Sequence, residues 1–308
     1  MSKADTENLF LITIWREGNV MAKKPDYWLQ IFLLMSKSEH LHLGYCENPD
    51  EEFISNRDLR RAQENYLELC MQTIPDQVRS VMDVGCGTGE MLKRLAGKGL
   101  RVKGMVPDPI LAEKIGGKVG PEKVVLSKFE DYADGGEKFD LVLFMESFGY
   151  IRNMEGTLAK AASLLNPGGY ILISDFFAKK NDKTDLFSKN FHHRDEFAAT
   201  FAANPELELV LQKDITANTL PTIRFCNAMI FDYVLPIADV VVTSIKASSA
   251  VKKKPYLLKL FNLFFKKKLK AKWDHSLYRL NQIRPEYYLQ SCSYEMFLFR
   301  KKNGSAIA

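Results

Sequence analysis

A chain of 308 residues, 46% hydrophobic and 26% charged, is long enough for one large core and has the balance of an ordinary globular protein. Its net charge of +5 is local. Residues 252–272 hold nine lysines and no acidic residue, which leaves the remainder mildly acidic and argues against a nucleic-acid partner.

Five scattered cysteines without a CxxC pair exclude a disulfide framework and a cysteine-based metal site, and point to a cytoplasmic setting. Residues 1–24 lack a basic start followed by an apolar run, so no secretory signal is expected. The longest apolar stretch, 225–245, is broken by Asn227, Asp232, Pro236 and Asp239, so no membrane span is expected either.

The first informative elements are a short apolar strand, Val81–Val84, and the run Gly85-Cys86-Gly87-Thr88-Gly89, followed by a helix over Glu90–Gly97. Glycines at alternate positions permit positive φ and let a ligand approach the backbone, while the amides opening the helix face that ligand. The spacing fits neither GxGxxG nor the Walker loop. Next come a strand over Leu100–Val106, a helix over Pro109–Ile115 stopped by Gly116-Gly117, and a short strand over Lys123–Leu126. A buried strand over Phe139–Phe144 follows, then a helix over Asn153–Leu165 closed by Asn166-Pro167-Gly168-Gly169, and a strand over Tyr170–Ser174. This alternation is that of an α/β, doubly wound parallel sheet.

The sequence D-V-G-C-G-T-G at 83–89 resembles motif I of the class I S-adenosylmethionine (SAM) methyltransferases, and the order of elements over about residues 78–176 is similar to theirs. Upstream, Leu41-His42-Leu43-Gly44-Tyr45-Cys46 followed by Asp50 resembles the H-x-G-Y/W segment of cyclopropane synthases, tocopherol methyltransferases and sugar O-methyltransferases. The resemblance implies a Rossmann-like, seven-stranded, mostly parallel sheet whose last strand is antiparallel. Leu207–Lys213 and Tyr294–Arg300 are the candidates for strands six and seven. The expected organisation is a helical cap (1–77), a SAM-binding core (78–213), a helical insertion enclosing the substrate (214–290), and a final strand with tail (291–308).

The same resemblance implies SAM as cofactor, S-adenosylhomocysteine as product, and a set of binding residues. Gly85, Cys86, Gly87 and Gly89 hold the amino-acid part, Asp83 fixes the turn or reaches the ammonium group, and Tyr45 closes over the methionine end. The second strand lacks the acid that many members use for the ribose. Val106 stands in that place, and Asp108 reaches it only if the loop bends back. Phe129 and Glu130 edge the adenine, and Met145, where the fourth strand ends, completes the set.

Methyl transfer from a sulfonium is an in-line displacement to which a protein contributes alignment, exclusion of water and a base. The catalytic candidates are Asp175 after the fifth strand and the paired His192 and His193, whose ordinary pKa near 6.5 suits a base. Tyr150 and Glu146, after the fourth strand, come next. Structural alternatives are loop support for Glu146 and a polar helix start for the histidines. No metal is expected. The acceptor is expected to be small and amphiphilic or apolar, methylated at oxygen or carbon. Aromatic and aliphatic residues of the pocket-forming parts suggest this: Tyr27, Trp28, Phe32, Phe148, Phe176 and the 225–237 segment among them. A SAM-binding protein with another role, a cyclase or a non-catalytic partner, is the alternative, because fold alone does not decide chemistry. Apolar residues interleaved with lysine over 252–272 read either as a helix on an anionic membrane surface or as a solvated face. The oligomeric state is left open.

Overall fold

The computed structural model describes residues 36–180, 185–237, 239–240, 244 and 284–303. The chain divides into two compact units after Lys37, and every element below belongs to the second. Tyr27, Trp28, Phe32 and the lysine-rich stretch 252–272 lie outside the described residues.

Seven strands form one sheet in the order β3-β2-β1-β4-β5-β7-β6. They are β1 (Ser80–Val84), β2 (Arg101–Val106), β3 (Val124–Leu126), β4 (Phe139–Met145), β5 (Leu165–Ala178), β6 (Leu207–Asp214) and β7 (Cys292–Lys301). The first five pair in parallel, and β7 runs antiparallel between β5 and β6. The strand order reverses between β1 and β4, which opens a crevice at their carboxyl ends, where sheets of this kind take ligands.

All five residues of β1 are buried, and the central strands read as near-continuous apolar runs because helices cover both faces. The helices are α1 (Asn56–Thr73), α2 (Glu90–Gly97), α3 (Pro109–Val119), α4 (Met154–Ser163), α5 (Leu186–Asn190), α6 (Arg194–Ala202), α7 (Leu220–Ala228) and α8 (Pro285–Ser291). On one face, Tyr66, Leu67 and Cys70 of α1, Leu95 of α2 and Ile115 of α3 pack on Val81, Leu143, Leu172 and Tyr294. On the other, Leu158 of α4 and Phe197 of α6 cover Met82, Phe144, Phe177 and Phe297. The buried residues of α1 recur as 59, 62/63, 66/67 and 70, the stripe a helix needs to lie on a sheet.

Two local expectations are corrected. Helix α3 does not stop at Gly116-Gly117 but runs to Val119 and ends at Gly120, whose φ is +102°. Gly116 is there for packing: a Cβ would lie 3.2 Å from Cα of Pro121. The Asn166-Pro167-Gly168-Gly169 segment does not close a helix either. It is the start of β5, which pairs with β4 through a register shift between Phe139 and Leu141, with Gly168 at φ +72° in the bulge.

Candidate active site

The three turn glycines all take positive φ, but for different reasons. A Cβ on Gly85 (φ +72°) would sit 2.5 Å from Cβ of Ser147, the loop residue whose hydroxyl donates to the Val84 carbonyl. A Cβ on Gly89 (φ +82°) would sit 2.9 Å from Cγ2 of Ile115 in α3. Only at Gly87 (φ +56°) would a Cβ meet no clash, its one neighbour within 4 Å being Cδ1 of Leu41 at 3.8 Å, an ordinary contact. The close approach expected at all three positions therefore belongs to Gly87, and the other two glycines serve packing of the turn. The amides of Gly85 and Cys86 are also spent, since both donate to the Met105 carbonyl at 2.8 and 3.2 Å. Cys86 turns its sulfur onto β2, where a Cβ on Gly104 would meet it at 2.8 Å, and burial pushes its thiol pKa well up. It is a packing residue.

Asp83, at the end of β1, is 1% exposed, and its Oδ2 has no hydrogen-bond partner among the described residues. Burial pushes its carboxyl up to about 7. A sealed carboxylate oxygen without a donor is costly, and a ligand ammonium group at this turn would relieve it.

Residues 39–43 cross the mouth of this turn. The Glu39 carbonyl accepts from Thr88 Oγ1, Lys118 ties the Glu39 side chain to Glu90, and Leu41 lies over Gly87. His40 pairs with Glu64, which also meets Arg94 of α2. The Leu43 amide donates to Glu146 Oε1 at 2.8 Å. Tyr45 does not close over the turn. Its amide donates to Ala62 in α1 and its ring lies 5.3 Å from Nζ of Lys213 on β6, four strands from β1. The residue covering the glycine turn is Leu41, which carries no sequence signal of its own.

At the end of β2, Val106 is buried and apolar. Asp108 does not bend back to a ribose: its Oδ1 accepts from the amides of Ile110 and Leu111 at 2.9 and 3.0 Å, as the N-cap of α3. Phe129 is 3% exposed and meets Phe144 edge-on at 5.4 Å, so its ring belongs to the core rather than to an adenine edge. Glu130 is exposed. Met145 is part-buried and pairs with Ser174 across β4 and β5.

The catalytic candidates separate sharply. Asp175 is 1% exposed, with Oδ2 accepting from the Gly149 amide at 2.9 Å and Oδ1 from the Phe176 amide at 2.8 Å; burial pushes it up to about 6. His192 bonds through Nε2 to the Ile151 carbonyl at 2.8 Å with its ring 5.2 Å from that of Phe148, and burial lowers its pKa. These two residues brace the turn 148–151 from either side. Both are occupied by backbone partners, so the expectation that they act as bases gives way to a loop-holding one. His193 is the N-cap residue of α6, and its backbone bridges to Ala178. Tyr150 is 75% exposed.

Glu146 is different. It is a non-glycine residue at φ +50°, held there by its amide donating to Ser174 at 2.8 Å, and such strain gathers at functional positions. Its Oε1 accepts from the Leu43 amide and the Tyr294 hydroxyl, both at 2.8 Å, while Oε2 takes no hydrogen bond among the described residues. Burial, with the like charge of Asp175, pushes its carboxyl up to about 8. Tyr294 was invisible as a site residue in the sequence, because the two are 148 positions apart.

Three carboxyls, Asp83 and Asp175 buried and Glu146 part-buried, have pKa values raised to about 7, 6 and 8 and make stability depend on pH. Between the ordinary carboxylate range and about pH 8 the folded chain binds more protons than the unfolded one, so stability falls as pH rises through that window. Thermal melts are expected to give a maximum near about pH 5 and a falling Tm towards about pH 8.5. Asp83→Asn should flatten the fall below about pH 7 and leave the upper part, which Glu146 causes. A flat profile would mean that these groups titrate normally.

A mostly parallel sheet with a reversal point, a glycine turn between β1 and α2, and an uncompensated acid beside it define a Rossmann-like cofactor-binding domain. Residues 53–205 match the methyltransferase domain family. A probable chloroplastic tocopherol O-methyltransferase of Oryza sativa subsp. japonica is 31% identical over 151 residues, covering 44% of this chain and 40% of that one. A ubiquinone biosynthesis O-methyltransferase of Dechloromonas aromatica is 26% identical over 148 residues, 46% of this chain and 61% of its own. The chain spans about half the length of the curated relatives it matches. Among solved structures, the cyclase SpnF superposes with a TM-score of 0.61 over 90% of this chain and 95% of that one, at 16% identity, a likeness of fold alone. The chain carries a class I SAM-dependent methyltransferase domain. The residues fit the cofactor: Asp83 offers an unpaired carboxylate oxygen to a cationic amino acid, and Gly87 offers bare backbone.

Proposed function

We propose that this chain transfers the methyl group of SAM to an oxygen of a small, largely apolar acceptor, and that Glu146 takes the acceptor's proton. SAM, when bound, supplies an electrophilic methyl group, and this chain supplies alignment, a dry surround and the base. The observation that carries the reading is Glu146 itself, part-buried at the carboxyl end of β4 next to the glycine turn, with one oxygen anchored and the other unengaged. Raised to about 8, this carboxyl is matched to proton transfer near neutral pH better than an ordinary glutamate would be.

An apolar acceptor is supported by the aromatic surround. Tyr294 packs edge-on against Phe176 at 4.6 Å, and Phe176 meets Phe191 at 5.1 Å and Phe187 at 6.5 Å. The two curated relatives, named for tocopherol and for ubiquinone biosynthesis, favour oxygen over carbon. A screen of SAM consumption against quinols, phenols, lipids, sugars, amines and tRNA tests the proposal. Turnover is expected on hydroxylated apolar compounds, and turnover on tRNA alone would overturn it.

An acceptor dissolved in lipid would give the lysine-rich stretch 252–272 a use, since each lysine near an anionic surface adds about 1 kcal/mol. Co-sedimentation with anionic vesicles is expected at low salt and should be lost at high salt, because screening acts over about 8 Å at physiological ionic strength. Equal, negligible sedimentation with anionic and neutral vesicles would remove the membrane from the proposal. The described residues contain no helix long and apolar enough to cross a bilayer.

A further inference from the structure

Behind Glu146 runs a line of buried hydroxyls that cofactor binding and the fold leave unexplained. Tyr294 Oη on β7 is 2.8 Å from Glu146 Oε1 and 2.7 Å from Tyr66 Oη on α1, which is 2.7 Å from Ser174 Oγ on β5. Tyr66, Tyr294 and Ser174 are each 0% exposed, and so is Cys70, which adjoins the far end of the line. Two tyrosines in an apolar core satisfy each other's hydroxyls more cheaply with backbone carbonyls than with a carboxylate from another strand. Here a backbone amide and a tyrosine hydroxyl from distant parts of the chain converge on one carboxyl oxygen.

A phenol has one proton to give. Tyr66 donates to Ser174 Oγ, and with Glu146 ionised the single proton of Tyr294 goes to Glu146 Oε1 rather than to Tyr66. The bond from Tyr294 to the ionised carboxylate is charge-assisted, and so stronger than one between neutral groups. The line is sealed at its far end, so it does not carry protons to solvent. Its effect is on Glu146 alone.

We propose that Tyr294, backed by Tyr66, is a positioning residue for the methyl transfer: its hydroxyl and the Leu43 amide pin Oε1 of Glu146 and leave Oε2 to receive the acceptor's proton. The inference rests on the reading of Glu146 as base. In the step it serves, the acceptor O–H bond breaks with its proton passing to Oε2. The oxygen forms the new C–O bond as the methyl–sulfur bond breaks, and the electron pair of that bond stays on sulfur, giving S-adenosylhomocysteine. The groups facing Glu146 are Tyr294 on β7, Tyr66 and Cys70 on α1, Asp175 on β5 and Tyr288 on α8. The charge acting on it is the like charge of Asp175, so the hydrogen bonds to Oε1 are what favour its ionised form.

The test is an infrared titration of the full-length protein without acceptor, following the carboxylic C=O band that Glu146→Gln removes. Its midpoint in the native protein is expected at about 8. In Tyr294→Phe it should move up by about one unit or more, since a hydrogen bond to a charged group is lost. Tyr66→Phe, one bond further away and less exposed to misfolding at the sheet, should shift it in the same direction by less. An unchanged midpoint in both variants, with S-adenosylhomocysteine still bound, would overturn the proposal. The proposed function fails separately, if Glu146→Gln keeps full turnover whatever the titration shows.

Discussion

Glu146→Gln is expected to lower kcat by about 10²–10⁴-fold, the usual contribution of a positioned general base, while SAM affinity stays within a few-fold of the native value. The substitution keeps the side chain's shape and an acceptor oxygen for the Leu43 amide and the Tyr294 hydroxyl, so the 39–43 segment should remain in place. Because the carboxyl titrates at about 8, the native kcat should rise with pH to a plateau above that value. The variant's residual rate should lack that limb. Asp175→Asn is the informative contrast. Its carboxylate bonds to the amides of Gly149 and Phe176, so its loss should loosen the 148–151 turn and raise KM rather than erase the pH limb. Steady-state kinetics across pH on all three proteins checks both. If Asp175→Asn removes the limb and Glu146→Gln keeps it, the base has been placed on the wrong strand end.

Gly87→Val is expected to weaken SAM and S-adenosylhomocysteine alike by about 100-fold or more, equivalent to about 2.7 kcal/mol or above. The valine would fill the gap between the turn and Leu41, and at φ +56° it would also carry about 1–3 kcal/mol of backbone strain. Gly85→Val and Gly89→Val should lose binding by another route. Their side chains would collide with Ser147 and Ile115, so they should melt well below Gly87→Val. Calorimetry with both nucleosides, beside thermal melts, separates the two effects. Native-like affinity in a folded Gly87→Val protein would mean that the ligand does not use this surface.

Much of the fold was legible in the chain. Strand β1, the glycine turn and α2 could be read because a buried parallel strand must be apolar throughout and a tight turn at positive φ must be glycine. The same local logic placed β2 and β4 to within a residue or two, and the resemblance to the methyltransferases placed β6 and β7 as closely. It failed at Gly116-Gly117 and at Asn166–Gly169. Glycines there serve close packing against Pro121 and a β-bulge, and both depend on neighbours that the local sequence does not name.

The site was legible only in part, and the reason lies in what a side chain does once its neighbours arrive. Asp175, His192 and Asp108 have the right chemistry for catalysis or binding, but folding brings backbone amides and carbonyls to them and commits them to a turn or a helix cap. Glu146 is an ordinary glutamate in the sequence. It becomes a strained, part-buried carboxyl with a raised pKa because β7, inserted antiparallel beside β5, carries Tyr294 to it, and because the 39–43 segment folds back across motif I. The sequence by itself determined a buried strand, a glycine turn and a helix, since those constraints act between residues a few positions apart, while the SAM reading of that turn came from its resemblance to motif I. Which acid stands free to react was decided by the tertiary structure, because desolvation and hydrogen bonding depend on partners more than a hundred residues away.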